Sequence, residues 1–430
     1  MSQSTIALII IAAMVVLFFV KQIPIWITAL VSATAMACAG ILQFDELFSA
    51  LSSNTVLTVI GMLAIGKAIA ESGLVELVAG LLGRYLHGSE RAVMVKLSVV
   101  AAIAAGLTNA LVVLAAILPV VDHLCMASDG KIQRKNLYLP ISVASAYGCT
   151  VTSIGASSML HLSALLEQNP EVGRPLSFFE PATIGLPALV LMIVYAGTVG
   201  YRLRASFHFD DIVPLGVGER DISVPDSSSM GEAGRRKVVI STLIFIAAID
   251  LLLFSPLPSG FVAMACAVAF ILTGCAQKTL FQEISWGTVF LVVGSIAIGN
   301  GFERSGAAAL VVTVIRGAFG ALADSPFAMC VMMLVIAVII SNFMANNAAL
   351  TITAPIAFAL ASSFGYNPVP FGLACSVGSL LSCSTPLCNA NVSMSLQAGY
   401  RFKDYIVWGL PNNILAIIGS SLALYVVYFM

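Results

Sequence analysis

Two polar pairs interrupt long apolar segments of the chain: Thr108-Asn109 lies within 92–126, and Ser341-Asn342 lies within 330–362. Asn and hydroxyl side chains donate and accept hydrogen bonds without the cost of a buried charge. Backbone that leaves a helix at such a break also exposes N–H groups that attract anions and carbonyl groups that attract cations. We therefore predict that both pairs form the tips of re-entrant hairpins and bind ions or a small anion.

A further pair of breaks occurs in the apolar segments 137–165 and 368–395, where glycines and hydroxyls cluster and Pro386 stands in the second segment. Such clusters indicate an unwound helix, and the freed carbonyls and hydroxyl oxygens suit a hard cation such as sodium. Runs of small residues also permit close helix packing, so that role stays open for any single Ser or Thr. The candidate sodium ligands in the tips and breaks are Thr108, Asn109, Thr150, Thr152, Ser153, Gly155, Ser341, Asn342, Ser382, Ser384 and Asn389.

An internal repeat relates these breaks to one another. Residues 55–73 and 288–306 match at nine of 19 positions without a gap, at an offset of 233. The same offset takes Thr108-Asn109 to Ser341-Asn342. Self-similarity of this kind indicates homologous structural units. We predict a first repeat at 1–202, a linker at 203–236 and a second repeat at 237–430.

The composition indicates a membrane protein. Of the 430 residues, 59% are hydrophobic and 10% are charged, and the mean hydropathy is +1.01, whereas soluble domains carry about 25% charged residues. These values exclude soluble globular, disordered and nucleic-acid-binding proteins, and a net charge of −1 creates no field that attracts polyanions. We expect an all-α polytopic membrane protein.

Ten apolar segments qualify as spans, because a helix needs about 20 residues to cross the hydrocarbon core. They lie at roughly 4–20, 25–42, 55–73, 137–165, 180–202, 237–254, 260–275, 288–303, 368–395 and 408–430. If the hairpins do not cross, 16 of the 20 basic residues share one side and 3 lie on the other. The positive-inside rule makes the first side cytoplasmic. The termini then face outward, the linker is cytoplasmic, and five spans per repeat invert the second repeat relative to the first.

Lys67 is a charged residue within a predicted span and lies four residues before Glu71. A local ion pair, or a side chain that extends to the interface, explains it better than a functional role. The sequence contains no metal-ligand cluster, nucleophile–base pair or phosphate-binding loop, so we expect neither an enzyme nor a cofactor. Inverted repeats with broken helices are typical of secondary transporters.

At its polar tips and helix breaks the sequence resembles the divalent anion/sodium symporter family of the ion-transporter superfamily. The resemblance includes the ending Gly399-Tyr400-Arg401-Phe402-Lys403-Asp404 with Gly409-Leu410-Pro411. The family's Ser-Asn-Thr signature reads Thr108-Asn109-Ala110 and Ser341-Asn342-Phe343 here, and its Gly-Thr-Pro-x-x-Asn pattern survives as Ser384-Thr385-Pro386-Leu387-Cys388-Asn389. The resemblance implies that the tips contact substrate carboxylates and sodium. It also implies a homodimer whose transport domain moves across the membrane as an elevator.

We therefore expect a secondary active transporter in the cytoplasmic membrane that carries a small anion, a di- or tricarboxylate, together with sodium. The candidate substrate contacts are Thr108, Asn109, Ser341, Asn342, Asn346, Asn347, Thr385 and Pro386. One alternative is a metalloid oxyanion, arsenite-type or sulfate carrier, proton-coupled or uniporting, because 345–356 resembles the arsenite-carrier branch. Another is a non-transporting membrane subunit of a complex.

Overall fold

The structure is a computed structural model that describes residues 2–18, 23–72, 89–108, 110–128, 131–203, 232–255, 257–319, 324–386 and 389–430. Asn109 at the first predicted tip and most of the predicted linker lie outside the described residues. The regular elements of the described residues are helices.

The helices before the linker are α1 (Gln3–Phe18), α2 (Ile25–Cys38), α3 (Phe44–Ser49), α4 (Asn54–Glu71), α5 (Glu90–Leu107), α6 (Ala110–Ala127), α7 (Arg134–Gly148), α8 (Ser157–Gln168) and α9 (Ala182–Tyr195). Those after it are α10 (Glu232–Phe254), α11 (Ser259–Leu272), α12 (Trp286–Arg304), α13 (Ala307–Phe319), α14 (Pro326–Ser341), α15 (Asn346–Ser363), α16 (Pro368–Leu380), α17 (Ala390–Met394) and α18 (Phe402–Leu424).

Local signals in the sequence determine several helix starts. Ser53 and Ser89 accept hydrogen bonds from the third residue of α4 and α5, and Ser325 does the same for α14, which begins with Pro326. A side-chain oxygen at this position satisfies an N–H group that the helix leaves free, and proline at the first position removes another. These helices therefore begin where the capping residues predict.

The helices are interrupted where the sequence predicts breaks. The segment 137–165 contains α7 and α8 with non-helical residues 149–156 between them. The segment 368–395 contains α16 and α17, separated by residues that include 381–386. The tips at Thr108 and Ser341 join α5 to α6 and α14 to α15, and each of these pairs packs together. That both pairs re-enter the membrane stays a prediction.

Several pairs of helices that pack together have a counterpart pair, formed by the corresponding helices of the other half. Helix α4 packs against α11, and α2 packs against α12, which is the counterpart of α4 in the sequence repeat. Helix α5 packs against α7 in the same way as α14 packs against α16, and α9 packs against α18. A two-fold internal repeat would produce this exchange, but the division into two repeats at 1–202 and 237–430 stays a prediction. The inverted orientation of the halves stays a prediction.

Helix α13 is an element that the sequence analysis did not assign. It packs against α1 and α15, while Val314 and Leu310 on another face are exposed. Its 13 residues are too few to cross a bilayer. The segment was missed because it is shorter than a span and carries Arg316.

Three helical segments of the described residues are long and apolar enough to cross a membrane by length and composition: Ala182–Leu203, Trp286–Arg304 and Phe402–Phe429. On α18 the apolar side chains Ile414, Ile418 and Leu422 recur every four residues and are exposed. A continuous exposed apolar stripe of this kind suits contact with lipid. The fold is that of a multi-pass membrane protein.

Candidate functional site

The second hairpin tip is held by hydrogen bonds to the second break. The Ser341 hydroxyl lies 2.7 Å from the carbonyl oxygen of Ser379 and 2.9 Å from Oδ1 of Asn346. Asn342 Oδ1 accepts a hydrogen bond from the backbone N–H of Ser384 at 2.9 Å, and its Nδ2 donates to the Val338 carbonyl. The tip side chains therefore fix the tip against the break.

Matched threonines connect each break to the tip of its own half. Thr152 Oγ1 donates a hydrogen bond to the carbonyl of Gly106, and Thr385 Oγ1 donates to the carbonyl of Asn342. The two threonines lie 233 positions apart, which is the offset of the sequence repeat. The first tip is also capped internally, because Thr108 Oγ1 donates to Ala104 at 2.9 Å. Both tips are therefore anchored through the same kind of contact.

Matched glycines allow a long helix to approach each break. A Cβ atom on Gly185 of α9 would lie 2.3 Å from Thr150 Oγ1, and one on Gly409 of α18 would lie 2.3 Å from the carbonyl oxygen of Cys383. Thr150 and Cys383 are again related by the offset of 233. Only a residue without a Cβ fits at such distances. These glycines begin the segments Gly185-Leu186-Pro187 and Gly409-Leu410-Pro411, which therefore pack closely against the two breaks.

A cavity of about 720 Å³ lies where the tips and breaks meet. Its lining includes Thr108 and Ala110 at the first tip, Asn346 and Asn347 at the second, and Asn389 in the second break. Further polar groups in the lining come from α4, from the starts of α8 and α12, from the segment before α12 and from α17. They are Lys67, Glu71, Ser157, Ser158, Glu283, Ser285, Thr288 and Asn391. Its size and mixed lining suit a small organic ligand.

The amino ends of three long helices converge on this cavity. Helix α6 begins at Ala110, α8 at Ser157 and α15 at Asn346, and all three residues line it. The N-cap residues of α8 and α15 are Ala156 and Ala345, whose side chains cannot accept a hydrogen bond from the first turn. The free N–H groups of a helix start carry partial positive charge and bind anions. The backbone therefore favours an anionic ligand beside these helix starts.

Polar side-chain atoms near these helix starts have spare hydrogen-bonding capacity. Asn347 Nδ2 donates to Ser157 Oγ at 2.8 Å, but Asn347 Oδ1 is buried without a partner among the described residues. The buried hydroxyl of Ser158 also lacks a partner there. Buried polar atoms normally find partners, so such exceptions mark sites for a ligand or water.

Charged side chains line one part of the cavity. The Lys67 ammonium contacts Oε2 of Glu283 and lies 3.8 Å from Oε1 of Glu71. Glu283 also accepts a hydrogen bond from Thr279 Oγ1 at 2.7 Å. The bond from Lys67, followed by that from Thr279, lowers the pKa of the Glu283 carboxyl. We call this charged part of the lining the mouth, because the Glu283 side chain is 44% exposed whereas Thr108 is 6% exposed.

The predicted site residues divide between the cavity and the packing behind it. Thr108, Gly155, Asn346, Asn347 and Asn389 line the cavity. The other described site residues are not in the lining and form hydrogen bonds within or between the tips, breaks and loops. They are Thr150, Thr152, Ser153, Ser341, Asn342, Ser382, Ser384, Thr385 and Pro386. Asn109 lies outside the described residues.

Gly155 occupies a wall position that excludes a larger residue. A Cβ atom there would lie 2.7 Å from the carbonyl oxygen of Cys149. The break therefore folds back closely on itself just before α8, and this turn brings Ser157 and Ser158 to the cavity. In the described residues, His, Cys, Asp and Glu form no group of three that could hold a metal ion.

A comparison with protein families identifies the class of the chain. The family model described as "Citrate transporter" matches residues 6–378. The chain belongs to the citrate transporter family. This family is part of the ion-transporter superfamily that the tips and breaks resemble.

Individual relatives of this citrate transporter family member are distant. An uncharacterized transporter of Synechocystis sp. is 26% identical over 205 residues, which cover 47% of this chain and 32% of that protein. A Caenorhabditis elegans protein named sodium-dependent high-affinity dicarboxylate transporter 2 is 28% identical over 145 residues, or 33% of this chain and 25% of that protein. The matches thus span about a third or less of these relatives.

A solved structure shares the fold. The Neisseria gonorrhoeae MtrF structure, described as illuminating a class of antimetabolite efflux pumps, aligns with a TM-score of 0.63. The alignment covers 100% of this chain and 96% of that chain at 12% identity. At this identity the likeness establishes the fold of the family member and not its substrate.

Sequence reasoning missed several cavity residues. Ser157 and Ser158 stand at the end of the first break and Asn391 follows Asn389 by two positions, so a wider reading of both breaks would have included them. Lys67 carried a signal, a charge within an apolar helix, but a structural role was favoured for it. Glu283 carried no signal in the sequence, because only folding brings the loop that contains it to α4.

Proposed function

We propose that the chain is a secondary active transporter that carries a di- or tricarboxylate together with sodium. The observation that carries this proposal is the convergence of the α6, α8 and α15 amino ends on one cavity. Partial positive charge from backbone N–H groups can hold carboxylates without a buried cation. The family description and the name of the C. elegans relative support a carboxylate as the anion.

Neutral donors complete the anion site in this proposal. Asn346 and Asn347 belong to the first turn of α15, and Ser157 and Ser158 to the first turn of α8. Their side chains add hydrogen bonds that orient a bound carboxylate. Thr108 and the neighbouring Asn109 extend the same function to the first tip. Asn342 and Ser341 act through the position they give to Asn346 and α15.

Sodium binds, in this proposal, behind the cavity surface at the tips and breaks. Candidate oxygens are the carbonyls at the ends of α5 and α14 and the hydroxyls of Thr152, Ser382 and Thr385. Thr152 and Thr385 donate to these carbonyls, and Ser382 donates to the Ser341 hydroxyl, so the oxygens lie close together. A sodium ion bound there would stabilise the tips and so favour substrate binding in the cavity, which is the basis of coupling.

Transport requires that the cavity open to the two sides alternately. We propose that the tips and breaks move together against the remaining helices as an elevator within a homodimer in the cytoplasmic membrane, with 203–236 on the cytoplasmic side. The hydrogen bonds of Thr152, Thr385 and Asn342 support movement as one body, because they join each tip to its break.

Reconstitution tests the proposal. Purified protein in liposomes is assayed for uptake of labelled succinate, citrate, sulfate and arsenite, with and without an inward sodium gradient, against protein-free liposomes. We expect succinate or citrate uptake that the gradient accelerates. Carboxylate uptake that ignores sodium would contradict symport, uptake of sulfate or arsenite alone would favour the oxyanion alternative, and absence of all uptake would favour a non-transporting subunit.

A further inference from the structure

Lys67 is the cation that lines the cavity among the described residues. It lies on α4 one turn after Leu63 and next to Gly66, both of which line the same wall. A charged residue within an apolar helix is costly, and such residues are generally retained for function. Its position therefore calls for a role beyond a surface ion pair.

The charges at the mouth oppose the entry of an anion. Lys67 faces two carboxylates, Glu71 and Glu283, so the three groups carry a net charge of −1. An anion can pair with Lys67 only if one carboxylate gives way. Glu283 is the carboxylate that can move away from Lys67. Its side chain is 44% exposed and lies in the non-helical segment between α11 and α12.

Exchange of Glu283 for another carboxylate is energetically accessible. Water screens a partly exposed ion pair, so the pair contributes little net free energy. Thr279 Oγ1, which already donates to Glu283, remains its partner after Lys67 has left. A carboxylate from solution offers Lys67 the same chemistry as Glu283 does. The ammonium therefore loses no partner during the exchange.

Comparison of the two halves indicates that Lys67 acts at the large cavity and is not required for helix packing. The counterpart of Lys67 at the offset of 233 is Asn300 on α12. Asn300 and Gly299 line a second, smaller cavity of about 30 Å³, just as Lys67 and Gly66 line the large one. The same helix face therefore meets a cavity in both halves, but it carries a cation in only one. A lysine required for packing of this face would be expected in both.

We propose that Lys67 binds one carboxylate of the transported anion at the cavity mouth, in exchange for Glu283. This inference rests on the proposed function and adds a specificity-determining residue to it. A di- or tricarboxylate can then engage Lys67 with one carboxylate while another reaches the amino ends of the helices. Glu283 competes with the substrate for Lys67 and acts as a latch when the cavity is empty.

Two single variants separate this role from a structural ion pair. In the proteoliposome assay with labelled succinate and citrate, Lys67→Gln is expected to raise KM about tenfold, as for loss of a charged hydrogen bond. Glu283→Gln is expected to lower KM severalfold, because it removes the competitor. If the Lys67–Glu283 ion pair were merely structural, both variants would change KM in the same direction, because either one breaks the pair. Lys67→Arg retains the cation and is expected to stay within about threefold of the wild-type KM.

The controls keep the outcomes distinct. Lys278→Gln removes a positive charge from the same segment at an exposed position outside the cavity lining, and it should leave KM unchanged. If the wild-type protein transports neither anion, the proposed function fails and this inference fails with it. If the wild-type protein transports and Lys67→Gln leaves KM unchanged, or both single variants raise KM alike, the inference alone is overturned. Thermal unfolding of each variant in detergent checks that folding is intact.

Discussion

Asn347 Nδ2 donates a hydrogen bond to Ser157 Oγ over 2.8 Å and so joins the second hairpin to the first broken helix. The two residues come from different halves of the chain and lie 190 positions apart. Each stands in the first turn of a helix whose amino end faces the cavity. The bond therefore couples two helix starts that we propose bind the same anion.

Substitution of Asn347 tests this coupling. Asn347→Ala is expected to raise KM for a carboxylate about tenfold, because it removes the donor to Ser157 and an Oδ1 that has no partner among the described residues. Ser157→Ala should have a smaller effect in the same direction, since it removes only the partner that orients Asn347. The double variant should show less than the sum of the two free-energy changes. Full additivity would contradict a shared role.

The sequence predicted the breaks well because their signals are local. Polar pairs and clustered glycines and hydroxyls in an apolar segment weaken a helix locally, so Ser341 and Gly155 could be placed without tertiary structure. The signal is not sufficient by itself, because α18 continues unbroken through Gly409 and Asn412. Which face of a break meets the cavity depends on distant packing. The Thr385 hydroxyl, for example, donates to the Asn342 carbonyl, and its contact with substrate stays a prediction. Glu283 joins the cavity lining from a segment with no sequence pattern.

The glycines opposite the breaks are expected to be intolerant of a side chain. Gly185→Ala and Gly409→Ala would each place a Cβ atom 2.3 Å from an oxygen of a break, and overpacking of this kind costs about 1–3 kcal/mol. The measurement is the apparent melting temperature in detergent. Gly317→Ala is the matched control, because a Cβ atom there meets nothing within 4 Å. Equal losses in all three variants would contradict the close approach.

The pair of Arg174 and Glu180 in the loop before α9 should make stability depend on pH. Arg174 donates to both carboxylate oxygens at 2.9 and 2.8 Å. Burial alone raises the pKa of Glu180, but the bonds from Arg174 and from the Ser177 amide outweigh it and lower the pKa below the ordinary 4.5. The ionised form is therefore favoured by folding. Its contribution is present above about pH 4.5 and is lost as pH falls through the lowered pKa.

The expected size of this contribution is small, because the Arg174 side chain is 48% exposed and water screens the charge. Glu180→Gln should lower stability by about 1 kcal/mol at pH 7. The difference in melting temperature between this variant and the wild type should shrink as the pH falls below 4.5. Glu171→Gln alters an exposed carboxylate of the same loop and serves as control. A difference that stays constant across this range would refute the linkage.

The threonines that join the breaks to the tips should govern sodium dependence. Thr152→Val and Thr385→Val keep the side-chain shape but remove the hydroxyls that donate to Gly106 and Asn342. If these hydroxyls hold the carbonyls that bind sodium, the sodium concentration for half-maximal uptake should rise about tenfold in each variant. Thr242→Val, whose hydroxyl bonds only within α10 at 2.8 Å, should leave it unchanged. A fall in maximal uptake with an unaltered sodium midpoint would instead assign the threonines to packing alone.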